Sequence, residues 1–209
     1  MKNWVFDLDG TLVDSFGLYF KSMREIFADH GREFHSDLHL PALTEPLGDL
    51  FSLHLGSDRV NRAFDALQEK SNLDAPRIEP FAGIPELIDE LIAKGAKIAV
   101  WTNRDLQSAE LILKATGLKR KLEHCVSGTC VTRRKPDAEG LKGIIRRFDC
   151  SPSDVVMVGD HEHDVLGAQS AGATAVRASW HGYWSIEKCT QADFQFFTVP
   201  DFSAWARSV

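Results

Sequence analysis

The sequence predicts an α/β fold, in which a doubly wound parallel sheet carries a small α-helical domain. Three observations predict this architecture. From residue 82 onward, short apolar segments alternate with amphipathic helical patterns. Residues 16–80 contain helical patterns with no strand pattern between them. Polar side chains stand where the apolar segments end, as at Asp7 and Asp160. Nearly continuous apolar strands separated by amphipathic helices indicate a parallel sheet that is covered on both faces.

The elements of the sheet follow from local patterns. Five apolar segments are typical of strands: residues 4–6, 97–103, 124–127, 154–160 and 173–176, of which the third is the weakest. Helical patterns run from Ile84 to Gly95, from Leu106 to Gly117, over residues 137–148, and through Val165 and Ala168 to Gly172. Glycine suits three of these ends because it readily enters the left-handed conformation in which many helices stop.

The helical insertion leaves the sheet directly after the first strand. Two apolar stripes keep helical spacing, at Phe16, Phe20, Met23 and Phe27 and again at Val60, Phe64 and Leu67. Pro76 and Pro80 are expected where the insertion returns to the sheet. The predicted organisation is therefore an α/β core of residues 1–15 and 81–209 and a helical domain of residues 16–80.

The composition is that of an ordinary globular protein and argues against several function classes. The 209 residues are 44% hydrophobic and 26% charged, with a formal net charge of −6. Binding to nucleic acid or to an anionic membrane needs a basic surface, so neither is an expected partner. The four cysteines form no CxxC pair, the amino terminus has no signal-peptide pattern, and no apolar run approaches the roughly 18 residues that span a bilayer. We expect a cytoplasmic protein that is a monomer or a weak homodimer.

Polar residues at the predicted strand ends form the candidate site. Ligands of an open parallel sheet bind outside the carboxyl ends of its strands, so residues far apart in sequence are expected to meet there. Lys135 stands before Pro136, which suits the first turn of a helix, and we expect it to point inward while Arg133 and Arg134 face solvent. The candidates are Asp7, Asp9, Thr102, Asn103, Lys135, Asp160 and Asp164.

The chemistry of these residue types is complementary. Carboxylates as close as those of Asp7 and Asp9 repel each other, and burying them is costly unless a cation lies between them. With Asp160 they offer the hard oxygen ligands that suit Mg²⁺, which keeps some water and a substrate phosphate in its shell. Lys135 adds a positive charge, and Thr102 adds a hydroxyl. The set predicts a phosphoryl-transfer site in which an aspartate can serve as the covalent nucleophile.

Four segments, in chain order FDLDGTLVDS, VWTN, RRKP and VMVGDHEHD, resemble the four motifs of the haloacid dehalogenase-like (HAD) superfamily. The resemblance covers essentially the whole chain. The insertion between the first and second motifs looks like the helical cap of the phosphoglycolate-phosphatase-like members. The resemblance implies a Rossmann-like core, a cap that opens and closes over the site, and Mg²⁺-dependent hydrolysis of a small phosphorylated metabolite.

Carried over residue by residue, the resemblance implies a role for each candidate. Asp7 attacks phosphorus, and Asp9 protonates the leaving oxygen and later deprotonates the hydrolytic water. Mg²⁺ is held by the Asp7 carboxylate, the Asp9 backbone carbonyl and Asp160. Asp164 contributes either through a bound water or by contacting these ligands without touching the ion itself. Three groups hold the phosphoryl oxygens: Thr102, the Asn103 backbone and Lys135.

Three other functions compete with phosphate hydrolysis. A phosphomutase uses the same nucleophile and acid, but related mutases tend to carry a smaller apolar residue where this chain has Thr11. A dehalogenase needs neither Mg²⁺ nor the second carboxylate, Asp9. A phosphorylation-regulated receiver module also combines an aspartyl phosphate, Mg²⁺, threonine and lysine, but takes its phosphoacceptor from a middle strand, whereas here the DxD pair opens the chain. The prediction is therefore a phosphatase, and its natural substrate stays open because one fold serves many substrates.

Three local patterns have alternative interpretations. A calcium loop of EF-hand type counted from Asp7 fails, because Leu12 and Leu18 occupy its glycine and glutamate positions. His161 and His163 are two residues apart and do not share a helix face as the histidines of HExxH do, so a loop or a substrate contact is favoured over zinc. The segment WHGY, residues 180–183, could rim the site, but a packed surface loop is the commoner explanation for such a segment.

Overall fold

The protein is described by a computed structural model that covers residues 2–183 and 191–209. The chain forms two compact units. The sheet unit comprises Met1–Asp14 and Ile78–Val209, and the helical unit comprises Ser15–Arg77. The sequence predicts a helical domain of residues 16–80. In the structure this unit begins one residue earlier, at Ser15, and ends three residues earlier, at Arg77.

The described strands and helices follow one another in a mostly alternating order. The strands are β1 (Asn3–Phe6), β2 (Val13–Asp14), β3 (Glu79–Pro80), β4 (Ile98–Trp101), β5 (His124–Val126), β6 (Val155–Gly159), β7 (Thr174–Ala178) and β8 (Phe194–Phe196). The helices are α1 (Phe16–Asp29), α2 (His39–Thr44), α3 (Leu47–Leu55), α4 (Val60–Asp74), α5 (Ile84–Ala93), α6 (Leu106–Ala115), α7 (Glu139–Phe148), α8 (Glu162–Ala171) and α9 (Val199–Ala206).

Six of the described strands form one parallel sheet in the order β5-β4-β1-β6-β7-β8. From β1 the chain moves outward to β4 and β5 on one side. It then crosses to β6 and moves outward to β7 and β8 on the other side. The switch point of this doubly wound order lies beside β1, where such sheets bind their ligands. The predicted fold class, a doubly wound parallel sheet, is confirmed.

Four short elements of the sheet unit are absent from the sequence prediction. β8 extends the sheet, and α9 begins after Thr198, whose hydroxyl accepts a hydrogen bond from the Asp201 amide at 3.2 Å. β2 and β3 form an antiparallel ribbon of two residue pairs next to the junctions with the helical unit. Pro80, expected at the return of the insertion, lies in β3. Strands of two or three residues offer too little apolar alternation to be identified dependably, and the three-residue β5 is likewise the weakest of the five predicted strands.

The helix predicted over residues 137–148 begins later, at Glu139. A turn precedes it, closed by a hydrogen bond from the Asp137 amide to the Arg134 carbonyl at 3.0 Å. Pro136 therefore lies in this turn and not in the first turn of α7, which corrects the expectation for that residue. The turn carries Lys135 into the protein before the helix starts.

Each face of the sheet packs against its own apolar layer. Trp4 and Phe6 point to one face of β1, where they form edge-to-face contacts with Phe202 of α9. Val5 belongs to the layer on the other face, together with Trp101 and residues of α7 and α8. Burying an aromatic or aliphatic side chain of this size contributes about 1.5–3 kcal/mol, so these layers hold β1 in the centre of the sheet.

The helical unit has an aromatic core of its own. The predicted stripe of α1 is confirmed, since Phe16, Phe20, Met23 and Phe27 are all buried. The stripe predicted for α4 is wrong in one member, because Ala63 is the buried residue and Phe64 is 40% exposed. An ion pair between Lys70 of α4 and Glu25 of α1, at 2.6 Å, joins these two helices.

Two general expectations concern cysteines and membranes. Cys125, Cys130 and Cys150 are free thiols, whereas Cys189 lies outside the described residues. Among the helices of the described ranges, none has the length and apolarity required to cross a membrane.

Candidate active site

Three carboxylates meet beyond the carboxyl ends of β1 and β6. Asp7 directly follows β1, Asp160 directly follows β6, and Asp164 lies in the first turn of α8. Each offers an oxygen that lies within 4.8 Å of an oxygen from both others. All three residues are buried, and Asp7, the most exposed, retains 8% of its surface. We call Asp7, Asp160 and Asp164 the acid trio.

Lys135 reaches the acid trio from a distant part of the chain. Its ammonium lies 2.6 Å from Asp7 Oδ1 and 2.6 Å from Asp164 Oδ1, and its side chain is only 3% exposed. The same nitrogen lies over the Trp101 ring, 4.8 Å from its centroid, in a cation–π contact. Burial acts to lower the pKa of Lys135, but attraction to Asp164 and Asp7 outweighs it and raises that pKa. Lys135 is therefore charged and points inward as expected.

The acid trio carries more negative charge than Lys135 neutralises. Desolvation by burial raises the pKa of Asp7 to about 7. Attraction to Lys135 lowers this pKa, but repulsion from Asp164 and Asp9 acts in the same direction as burial, and together they outweigh it. Burial likewise raises the pKa of Asp160, with repulsion from Asp7 and Asp164. Three carboxylates and one ammonium leave a formal charge of −2. A buried set of hard oxygen donors with this charge fits a divalent cation such as Mg²⁺.

Asp164 serves two structural purposes at once. Its Oδ1 accepts the Lys135 hydrogen bond, while its Oδ2 accepts one from the His161 amide at 3.0 Å and so caps α8. The side chain packs closely against Gly159 at the end of β6. A Cβ at Gly159 would lie 2.2 Å from the Asp164 Cγ, closer than real side chains approach. Only glycine therefore leaves room for this carboxylate.

Gly159→Ala is expected to lower the free energy of unfolding by about 1–3 kcal/mol, the usual cost of overpacking a close contact. Urea denaturation of the metal-free protein measures it. Gly143→Ala in α7 is the matched control, because its new Cβ would meet only the flexible end of Arg146 at 3.8 Å. Alanine favours the helix, so this control should be no less stable than the wild type. Equal stability of Gly159→Ala and wild type would contradict the contact described above.

The loop after β4 carries the predicted phosphate-binding residues. Thr102 is buried, and its Oγ1 accepts a hydrogen bond from the Arg104 amide at 3.1 Å. The Asn103 side chain brackets the backbone of Lys135: its Oδ1 accepts from the Lys135 amide at 3.1 Å and its Nδ2 donates to the Lys135 carbonyl at 3.4 Å. Asn103 thus holds Lys135 in place through its amide, a contact that the sequence analysis does not predict.

The Asp9 carboxylate is not part of the group of described acids that could hold a metal ion and is bound instead by Arg104. The chain turns back directly after Asp9, where Gly10 has a φ of 71° and its amide donates to the Val13 carbonyl at 2.9 Å. Asp9 accepts two hydrogen bonds from Arg104, at 2.9 Å from Nε and 2.7 Å from Nη2. Sequence analysis missed Arg104. The available signal is a cation in the same loop as Thr102 and Asn103.

The WHGY segment rims the site, which is the less favoured of its two interpretations. Trp180 Nε1 donates to the Thr11 carbonyl at 3.2 Å. The His181 ring is almost fully buried, with Nε2 3.7 Å from Asp160 Oδ2. Its Nδ1 accepts from the Tyr183 amide at 3.0 Å, and burial lowers the pKa of His181 to about 4. The neutral ring therefore carries its proton on Nε2, the nitrogen that faces Asp160.

The HEH pattern at residues 161–163 has a structural explanation. The His161 Nδ1 accepts a hydrogen bond from the His163 amide at 3.1 Å, which caps the first turn of α8. Burial lowers the pKa of His161 to about 4, and the proximity of His163 acts in the same direction. The two rings lie 4.3 Å apart, and neither joins the group that could hold a metal among the described residues.

Known proteins resemble this chain in sequence. The model of a family described as haloacid dehalogenase-like hydrolase matches residues 4–178. Pyrophosphatase PpaX from Bacillus mycoides is 28% identical over 178 residues, which cover 84% of this chain and 82% of that protein. Residues 4–178, the range that the family model matches, include all seven candidate residues.

Solved structures show the same fold. A predicted phosphoglycolate phosphatase from Haemophilus somnus superimposes with a TM-score of 0.83 at 21% identity, covering 98% of this chain and 97% of its own. CbbY from Rhodobacter sphaeroides, solved in complex with phosphate, gives 0.80 at 23% identity, with 94% and 93% covered. At these identities the similarity concerns the fold alone.

Proposed function

Because the chain belongs to the haloacid dehalogenase-like hydrolase family, we propose that it is a Mg²⁺-dependent phosphatase that acts through a phosphorylated Asp7. The observation that carries this proposal is the buried Lys135 ammonium, 2.6 Å from both Asp7 and Asp164 within the acid trio. Such an arrangement can neutralise a phosphoryl group beside a carboxylate nucleophile, which is most of what phosphoryl transfer requires.

In the first step a carboxylate oxygen of Asp7 forms a bond to phosphorus while the bond from phosphorus to the leaving oxygen breaks. Lys135 holds Asp7 and balances the charge of the phosphoryl oxygens. Thr102 and the Asn103 backbone hold the remaining oxygens, on the loop that the Asn103 amide ties to Lys135. Asp9 gives its proton to the leaving oxygen, so that an alcohol departs and not an alkoxide.

In the second step a water oxygen attacks phosphorus and gives a proton to the Asp9 carboxylate. The bond between phosphorus and the Asp7 oxygen breaks, which restores the carboxylate and releases inorganic phosphate. Dividing the hydrolysis into two displacements lets one proton-transferring residue serve as acid and then as base.

Mg²⁺ would be held by the Asp7 carboxylate, the Asp9 backbone carbonyl and Asp160, with Asp164 behind them. When bound, it supplies charge neutralisation at the phosphoryl oxygens and at the attacking carboxylate. The neutral His181 ring faces Asp160, with its Nε2 3.7 Å from the carboxylate, which is longer than a direct hydrogen bond.

The expected substrate is a small phosphorylated metabolite, and a phosphomutase of the same family is the alternative. Thr11 favours hydrolysis because related mutases tend to carry a smaller apolar residue there, and the Thr11 side chain is fully buried. The name of the PpaX relative supports phosphate hydrolysis. Three free thiols among the described residues agree with a cytoplasmic location, which we include in the proposal.

The proposal predicts metal-dependent turnover. The purified protein should hydrolyse p-nitrophenyl phosphate and a panel of metabolite phosphates, releasing inorganic phosphate. EDTA should abolish the activity, and Mg²⁺ should restore it better than Ca²⁺, because Ca²⁺ prefers a larger and looser ligand shell. Ranking the panel by kcat/KM would identify the substrate class. Undiminished turnover in EDTA would refute the metal, and conversion of a sugar phosphate to its isomer without phosphate release would favour the mutase.

A further inference from the structure

Arg104 is a second cation at the carboxyl edge of the sheet, and the mechanism above gives it no task. Its guanidinium grips the Asp9 carboxylate with two hydrogen bonds, Nε to Oδ2 at 2.9 Å and Nη2 to Oδ1 at 2.7 Å. The two side chains are only 16% and 22% exposed. Partly buried, two-bond pairs of arginine and carboxylate are stronger and more directional than single contacts. We call this pair the Arg104–Asp9 fork.

The fork is mounted on a fixed loop. The Arg104 amide donates to Thr102 Oγ1 at 3.1 Å, and the Arg104 carbonyl accepts from the Gly128 amide at 2.9 Å. Just beyond, the Asp105 carboxylate caps α6 by accepting from the Ser108 amide at 2.9 Å. The backbone on both sides of Arg104 is therefore restrained. The same loop carries the proposed phosphate-binding residues, so the Asp9 carboxylate has a defined place relative to them.

From this geometry we propose that Arg104 is the positioning residue that fixes the Asp9 carboxylate for proton transfer. The inference rests on the proposed function, in which Asp9 is the acid and base. Two parallel hydrogen bonds oppose rotation of the carboxylate, whereas a single bond would leave it free to turn. Each carboxylate oxygen has a second lone pair besides the one that accepts from Arg104, so an Asp9 oxygen in the fork can still carry the proton that it gives to the leaving oxygen and later takes from water.

A purely structural ion pair is the alternative explanation, and it makes a different prediction. Loss of a structural pair would disturb the whole site and slow all substrates alike. Loss of a positioning residue slows only those steps in which Asp9 moves a proton. Alkyl phosphates require a proton on their leaving oxygen, whereas nitrophenolate leaves readily without one. The two leaving groups therefore separate the explanations.

The test compares kcat/KM for an alkyl phosphate and for p-nitrophenyl phosphate, both with Mg²⁺. For Arg104→Met, we expect kcat/KM for the alkyl phosphate to fall at least about tenfold further than for the nitrophenyl ester, within the 10²–10⁴-fold range of general acid catalysis. Arg104→Lys should show most of the same extra fall in kcat/KM for the alkyl phosphate, because an ammonium cannot form the two parallel hydrogen bonds of the fork. If Arg104→Met does not fold, the Arg104→Lys variant provides the test instead. Equal losses for the two substrates, or full recovery by lysine, would overturn the proposal.

A double-mutant cycle tests the same proposal through its partner. In an Asp9→Asn background, Arg104→Met should cause no further selective loss on the alkyl phosphate, because the group that it positions is already disabled. Full additivity of the two losses would contradict a shared task.

Arg207 supplies a matched control. It grips Glu90 through Nε at 2.6 Å and Nη2 at 3.1 Å, a similar two-bond pair on an exposed part of the sheet unit. Arg207→Met should leave both kcat/KM values unchanged. Turnover by the wild type tests the proposed function separately from the role of Arg104. Absence of Mg²⁺-dependent turnover of either substrate would refute the proposed function together with this inference. Turnover that responds equally for both substrates in Arg104→Met would refute this inference alone.

Discussion

Asp7→Asn is expected to abolish turnover while the chain remains folded. A neutral amide is a poor nucleophile and cannot form the aspartyl phosphate, so kcat should fall by about 10⁴-fold or more, as it does when other covalent enzymes lose their nucleophile. The substitution preserves shape and leaves Lys135 its second partner, Asp164. Phosphate release from p-nitrophenyl phosphate measures kcat, and circular dichroism checks the fold. A variant with wild-type kcat would eliminate covalent catalysis by Asp7.

The same variant makes a prediction about stability. The pKa of Asp7 is raised to about 7 in the metal-free folded protein, whereas in the unfolded chain it has its ordinary value near 3.8. Between these two pH values the folded state keeps a proton on Asp7 that the unfolded state has lost. Folding is therefore progressively disfavoured as the pH rises from about 4 to about 7. Asparagine does not ionise and avoids this penalty. Asp7→Asn should thus gain stability relative to wild type over that interval, and keep the gain at higher pH. Denaturant unfolding at pH 5 and pH 8 in EDTA would measure this.

Lys135→Met is expected to destabilise the protein strongly and to inactivate it. The substitution keeps most of the length of the unbranched side chain but removes the charge between Asp7 and Asp164, both 2.6 Å from the ammonium. Removing one partner from a buried ion pair typically costs about 3–5 kcal/mol, because the remaining charges stay buried without compensation. Urea unfolding of the metal-free protein at pH 8 measures the loss. The deficit should shrink at pH 5, where protonation of the raised-pKa Asp7 relieves the repulsion.

The matched control for this substitution is Lys121→Met. Lys121 pairs with Asp89 at 2.7 Å, almost the same distance, but the carboxylate is 63% exposed. Exposed pairs contribute about 0–1 kcal/mol, so this variant should unfold nearly as the wild type does and keep its activity. If Lys135→Met were no less stable than Lys121→Met, the electrostatic account of the acid trio would fail.

Local sequence patterns were sufficient for five of the six strands of the described sheet and for the grouping of Asp7, Asp160 and Asp164. The apolar strand over residues 154–160 predicts β6, and the acid after it predicts where Asp160 lies, because strand ends of a parallel sheet share one edge. The prediction failed where an element was short or a turn intervened. β8 has three residues, and the turn before Glu139 displaces Pro136 from the helix. Neither feature has a period that a sequence pattern can reveal.

By itself the sequence determined the order of the five longer or clearer strands, the helices that follow them and the residue types that carry the chemistry, because periodicity and strand-end positions are local properties. Only the tertiary structure decided which side chains became partners. Arg104 grips Asp9 from 95 positions away, the Asn103 amide holds the Lys135 backbone, and the His181 ring turns its Nε2 toward Asp160. The physical reason is that pairing depends on distances between strand ends that folding brings together, and such distances leave no signal in the spacing along the chain.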